Sequence, residues 1–257
     1  MASMTGSGRF FRITLALVAV AVLVMSCSGS VKNPETAVKK MVKAYGGEKN
    51  IPLLTSFEGK GFRKQLPPGH VATNYPFDIF QSGMKYKTKT YRVREGRVVD
   101  LQLLVINESD RFSWSRGTGE ASVPEWEVEM IGYRLPMILE LLNAGEHELE
   151  HVESKFWDGL YHIRFSERDN IVDIGLDEES FLVRQVSIVS ASDSSFSFKE
   201  EYSDYVKTDG IWFPNRFLGY YKDLIYYEFI VPVVRFGVDF SDDLFTVMES
   251  DTAAAMQ

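Results

Sequence analysis

The apolar positions of this chain change period as the sequence runs on. Val38, Met41, Val42 and Tyr45 fall at i, i+3, i+4 and i+7, which is one apolar stripe of a helix. Asn33-Pro34-Glu35 supplies the helix start: Asn caps, Pro suits the first helical position and Glu complements the dipole. Gly46-Gly47 supplies the stop, because Gly accepts the left-handed conformation that follows a helix. Lys39, Lys40 and Lys43 occupy the other, solvated side. The period then becomes two. Residues 51–64, 77–91, 97–106 and 111–115 read as strands, and alternation is clearest in Leu101, Leu103, Val105 and in Tyr161, Ile163, Phe165. Turn chemistry separates them at Pro67-Pro68-Gly69, Glu95-Gly96, residues 107–110 and residues 117–119.

A helical patch interrupts the strands at mid-chain. Ser122-Val123-Pro124-Glu125 opens one helix, and Pro136 opens another through Met137, Ile138, Leu141 and Leu142, with Gly145 near its end. Strands follow, with hairpin signals at Asp158-Gly159 and Asp209-Gly210, since Asp-Gly suits the primed two-residue turn. Pro214, inside the last such run, marks an edge or a bulge. The segments "VVDLQLLVI" and "LIYYEFIVPVV" are apolar on both faces. Something must cover both: helices, further strand, a ligand or a membrane. The expected fold class is therefore mainly β (α+β). No internal linker or repeat divides it, so one domain is expected over 34–248, followed by a frayed Ala-rich tail at 249–257.

The first residues form a separate object. Arg9 and Arg12 precede an apolar run over 13–25, about the length of a signal-peptide core and short of the roughly 20 residues that span a bilayer. Cys27, the only Cys in the chain, stands where that run ends, after Val24-Met25-Ser26. This resembles the bacterial lipobox, which implies cleavage after residue 26, acylation of Cys27 and a short tether over 27–33. Several acyl chains, palmitate among them, anchor stably where one is marginal. Ser28, where lipoproteins retained at the inner membrane often carry Asp, points by the same resemblance to the outer membrane, facing the periplasm.

Composition narrows the remaining classes. The net charge is -8 and the sequence pI about 5.2, with no basic stripe, so a nucleic-acid partner is not expected. One Cys allows neither an internal disulfide nor a Cys-based zinc site. Aromatic residues make up 13% of the chain, which favours the pleated surfaces of strands. His147-Glu148-Leu149-Glu150-His151 matches H-E-x-x-H in its letters. That chemistry needs both His on one face of a helix, with the Glu as general base on a zinc-bound water. Here Gly145 stops the helix, Glu146, Glu150 and Glu153 crowd it with charge, and the hairpin downstream makes residues 147–157 read as strand. In a strand the two His are about 13 Å apart. His162, Glu167 and Asp173 are third ligands only by proximity. His70, in a Pro-Gly turn, calls for no chemistry. No G-x-S-x-G elbow or Gly-rich phosphate loop is present, and the paired carboxylates 177–179 and 242–243 fall in turns. Neither a cofactor nor a metal is expected.

Three segments carry a family resemblance: "AVKKMVKAYGGEKNIPLLTSFEGKGF", "WDGLYHIRF" with "DIGLDEESFLVRQVSIV", and "EYSDYVKTDGIWFPNRF". Together they resemble the opening helix and first strand, the central hairpins and the closing hairpin of the lipoprotein-localisation (LolA/LolB-like) superfamily. The resemblance implies a strongly curved antiparallel sheet, an open half-barrel, with the N-terminal and mid-chain helices covering its concave face. It also implies an apolar cavity for acyl chains or a lipoprotein, and an envelope protein without covalent chemistry. Leu101, Leu103, Val105, Trp114, Ile138, Leu142, Tyr161, Ile163, Phe165, Phe196 and Phe198 are the candidate cavity-lining residues. Expected partners are the membrane, through the N-terminal lipid, an acyl or lipoprotein ligand, and another envelope protein. The alternatives are a scaffold lipoprotein with a filled core and a zinc hydrolase through His147 and His151.

Overall fold

The computed structural model describes residues 33–65, 73–116, 118–152, 159–193 and 196–247. The signal-peptide and lipidation readings, Pro67-Pro68-Gly69 with His70, Asp158, and the tail after 247 lie outside the described residues. Among the described residues thirteen antiparallel strands form one sheet. They are β1 Ser56–Gln65, β2 Thr73–Ser82, β3 Lys85–Arg94, β4 Arg97–Ile106, β5 Arg111–Ser115, β6 Gly119–Ser122, β7 Glu150–Val152, β8 Leu160–Glu167, β9 Asn170–Asp177, β10 Val183–Ser190, β11 Ser197–Thr208, β12 Ile211–Tyr221 and β13 Leu224–Phe236. The helices are α1 Pro34–Ala44, α2 Ile51–Leu54, α3 Glu125–Tyr133 and α4 Leu135–Ala144, with 3₁₀ turns at Glu48–Asn50 and Asp242–Phe245.

The spatial order is β6-β5-β4-β3-β2-β1-β13-β12-β11-β10-β9-β8-β7. The first and last strands of the chain meet in the middle, and the edges are β6 and β7. The segment joining those two edges carries α3 and α4 across the sheet. In a flat sheet of this width the edges would lie about 58 Å apart. The two helices rise only about 28 Å end to end. The sheet therefore curls toward them without closing, since β6 and β7 do not pair.

Most elements follow from the local pattern. Strands β4 and β5 have the expected bounds, as does the end of α1, where Gly46 and Gly47 take φ of 94° and 93°. The turns at Glu95-Gly96 and Asp209-Gly210 place both residues at positive φ, as primed hairpin turns require. Two readings are corrected. The strand expected from residue 51 begins at Ser56, because Pro52 in a first turn lets Ile51 and Leu54 bury on one helical face. The strand expected over 77–91 is two strands, turning at Gly83 with φ 57°. Pro214 lies in an interior strand. The pairing of β12 with β13 begins at Arg216↔Ile230, so Pro214 is paired only with Tyr205 on β11 and meets the edge condition locally.

Burial accounts for how the helices dock. Ala37, Val38, Met41, Val42 and Tyr45 are buried, and the Tyr45 hydroxyl accepts a bond from the Val183 N–H and lies 3.1 Å from the Tyr205 hydroxyl. This fixes the end of α1 to β10 and β11. Trp126 of α3 stacks on Tyr221 at 4.5 Å and meets the edge of Tyr226 at 5.5 Å, fixing α3 to the β12–β13 hairpin. At the centre, the β1–β13 register slips between Lys60 and Phe62. A Cβ on Gly61 would stand 1.8 Å from the Ile230 carbonyl oxygen, a backbone atom that cannot step aside. Gly61→Ala is expected to destabilise the fold by about 3 kcal/mol, read as a lowered urea midpoint with unchanged slope.

Candidate functional site

Arg134 is the single extended residue between α3 and α4, with φ -65° and ψ 157°. It ends one helix and precedes the next, which places its side chain over the sheet. Its guanidinium carbon lies 4.5 Å from the Tyr86 ring centre on β3 and 5.4 Å from that of Tyr227 on β13. Its Nη2 donates to the Tyr227 hydroxyl at 3.4 Å, and its Nε lies 3.9 Å from Glu200 Oε1 on β11. Strands β3 and β11 are five positions apart in the sheet. Five spacings in a flat sheet would be about 24 Å. One side chain touching both is a direct measure of the curvature.

The Glu200 carboxylate, 2% exposed, accepts hydrogen bonds from the hydroxyls of Tyr202 and Tyr227. The Tyr202 hydroxyl in turn accepts from the Leu135 N–H at 3.0 Å, one of the donors a helix start leaves without an internal partner. A buried pair of this kind holds only when its remaining donors and acceptors are satisfied. Among the described residues Arg134 keeps two without a hydrogen-bond partner: Nη1, and Nε, which has only its 3.9 Å contact with Glu200.

The Arg134 side chain also lines a small chamber of about 130 Å³, with Arg63, Tyr86, Gln102, Leu103, Trp114, Glu127, Tyr227 and Phe229 among others. Among the described residues the Tyr86 hydroxyl and Gln102 Oε1 are also buried without a hydrogen-bond partner. Arg63, opposite Phe229 in the β1–β13 ladder, sits over that ring at 5.7 Å. Burial lowers the Arg63 pKa and raises that of Glu127, whose carboxylate accepts from Tyr226 at 3.3 Å.

A second, larger cleft of about 720 Å³ lies where α1 faces the end of α4. Val38, Val42, Leu142 and Leu149 give it an apolar lining; Lys39, Lys43, Glu35, Glu48 and His147 also line it. Gly145, at φ 71°, ends α4 beside it.

The sequence candidates do not gather at one site. Leu103 and Trp114 line the chamber, and with Val105 they form a buried cluster. Leu142 lines the cleft. Ile138, Ile163, Phe165 and Phe198 are buried in the core, as is Tyr161 beneath the His151 ring. Phe196 joins the Trp126–Tyr221 cluster, and Leu101 is half-buried on β4. Composition and period did not single out Arg63, Arg134 or Glu200. The available signal was alternation, since Phe198, Glu200 and Tyr202 share one face of β11 and place a carboxylate among core aromatics.

The letters H-E-x-x-H fall outside any helix. Residues 145–149 are turn and loop, and Glu150–Val152 is β7. The expected strand over 147–157 is thus shorter at its start. His147 packs on Phe165 and His151 stacks on Tyr161 at 4.3 Å. Those two aromatics are four residues apart on β8, about 13 Å. His162 points to the other face of β8, where it and Arg164 hold Asp173 at 2.6 and 2.9 Å. Among the described residues no group of three or more His, Cys, Asp or Glu is placed to hold a metal ion.

No protein-family model matches the chain, and no curated protein matches it. Solved structures similar to it include a LolA superfamily protein from Nitrosomonas europaea, 13% identical, covering 80% of this chain and 96% of the other at a TM-score of 0.48. A DUF1329 family protein from Desulfovibrio piger is 13% identical, covering 82% and 96% at 0.47. An outer membrane lipoprotein-sorting protein domain from Vibrio parahaemolyticus is 9% identical, covering 83% and 97% at 0.44. The first and third bear the name of the family that the sequence segments resemble. With TM-scores below 0.5, the functional reading rests on this chain's own residues.

Replacing Arg134 with Met leaves Glu200 buried without its counter-ion. The expected cost is about 3–5 kcal/mol in urea unfolding, and Arg134→Met with Glu200→Met together should recover most of it.

Proposed function

We propose that this chain is a lipid-anchored protein of the bacterial envelope that holds acyl chains, free or carried by a lipoprotein, in the cleft between α1 and α4. It serves lipid or lipoprotein trafficking toward the outer membrane and performs no covalent chemistry. The observation that carries this reading is the cleft itself. Its volume, about 720 Å³, falls in the range of small-molecule sites. Its lining joins Val38, Val42, Leu142 and Leu149 to the ammonium groups of Lys39 and Lys43. Burying hydrocarbon there yields about 0.8 kcal/mol per CH₂, and Glu35 and Glu48 balance the two lysines in the lining.

The anchor belongs to the same reading. Acylation of Cys27 would hold the domain at a membrane on a tether of a few residues. Cells fed a palmitate analogue are expected to label the chain, and Cys27→Ala to lose the label; full labelling of the variant would remove the anchor from the account.

The cleft is tested on the full chain carrying Cys27→Ser, which stays unacylated. A fluorescent probe with a dodecyl chain and a neutral head is expected to bind and to be displaced by dodecanol. Asn143 is exposed and lines the cleft, so Asn143→Trp fills the space without touching the core. It should weaken the probe about tenfold, or about 1.4 kcal/mol. Unchanged affinity in that variant, or no uptake by the parent, would refute the assignment.

A further inference from the structure

The small chamber is built differently from the cleft. An apolar site for hydrocarbon has no use for buried, unpartnered donors, and each costs free energy while it stays empty. Among the described residues Arg134 Nη1 and the Tyr86 hydroxyl are buried without a hydrogen-bond partner, and both side chains line the chamber together with Arg63. Tyr86 is 1% exposed, and the Arg134 side chain 11%. The two guanidinium groups come from different elements, Arg63 from β1 and Arg134 from the α3–α4 junction. Both are held by aromatic faces: Arg63 by Phe229, and Arg134 between Tyr86 and Tyr227. A guanidinium held over a ring face can still donate from its N–H groups.

Charge sets what the chamber accepts. Glu200 answers Arg134, and its oxygens are already engaged by two tyrosines. Glu127, held by Tyr226, brings a carboxylate to the wall itself. Among the described residues Arg63 forms no ion pair; it sits over the Phe229 ring and feels the Glu127 charge across the chamber. Burial disfavours its charged form, so a bound anion would relieve a cost the empty chamber imposes. The volume of about 130 Å³ equals the liquid share of about four waters. That suits a carboxylate or phosphate head with little chain attached. Leu103, Trp114 and Phe229 complete an apolar side for the first carbons.

We infer that the Arg63–Arg134 chamber is a second ligand site, separate from the cleft, which binds a small oxyanion: a carboxylate or phosphate, free or as the head of an amphiphile. Arg63 and Arg134 donate to it, and Glu127 limits its affinity. The site does not depend on the acyl-binding role of the cleft.

The test uses the full chain with Cys27→Ser and the NMR signals of arginine Nε–Hε groups. The Arg63 signal is assigned by its loss in Arg63→Met. Inorganic phosphate and decanoate are each expected to shift the Arg63 and Arg134 signals with saturation at millimolar concentration, and decanol to leave them in place. Saturation by phosphate alone identifies a free anion as sufficient; saturation by decanoate alone identifies an amphiphile head. Calorimetry should show heat of phosphate or decanoate binding in the parent and none in Arg63→Met, whose folding is checked by an unchanged circular-dichroism spectrum. Glu127→Gln removes the opposing charge and is expected to tighten binding about threefold to tenfold. Asn143→Trp should leave these signals and affinities unchanged while it weakens the dodecyl probe, so the two sites fail separately. Three results would overturn the inference: signals that stay in place through millimolar phosphate and decanoate, an equal response to decanol, or an affinity that Glu127→Gln does not raise.

Discussion

The structure turns on one buried contact, Arg134 against Glu200 within a ring of Tyr86, Tyr202 and Tyr227. Desolvating two charges is costly, and a pair such as this adds little net stability over an apolar replacement. What it supplies is position. The guanidinium can meet Tyr86 and Glu200 together only if β3 and β11, five positions apart, bend toward each other. The Tyr202 hydroxyl carries the same constraint to the start of α4. Sheet curvature and helix placement are thereby fixed at one point, and a slip in either would strand a charge away from water.

The two cavities follow from that arrangement. The helical segment runs from edge strand β6 to edge strand β7 and so must cross the face of the sheet. Where it passes Arg134 it lies tight on the strands and leaves only a small polar chamber. Farther on, α4 stops at Gly145 beside α1 and leaves the larger cleft. One is lined by fixed donors and suits a defined head group. The other has aliphatic walls and flexible lysines, and suits hydrocarbon of variable length. Tyr45 holds α1 to β10 and β11, so the wall of the cleft formed by α1 is anchored at its C-terminal end.

Much of the fold was legible because periodicity and turn chemistry are local. The α1 stripe, the Gly46-Gly47 stop, the Asp209-Gly210 turn and the bounds of β4 all follow from neighbours in sequence. The errors arose where one local cue overrode another, as at Pro52, which turned the expected start of β1 into α2. At the H-E-x-x-H letters the same competition was read correctly, since Gly145 ends the helix before them. The functional positions were far less legible. Leu142 and Leu103 were named as lining residues, but they line different cavities. Arg134 reads as an ordinary charge between two helices until the sheet brings Tyr86 and Glu200 to it. Contacts between residues so far apart in sequence leave no periodic trace.

The central claim is that this curvature leaves a hydrocarbon-binding cleft between α1 and α4. The most direct measurement is a crystal structure of the unacylated full chain grown with a dodecyl amphiphile. The account predicts continuous chain density against Val38, Val42 and Leu142, with the Arg134–Glu200 contact kept in place. A cleft holding only water while the alkyl chain lies elsewhere on the protein would contradict it.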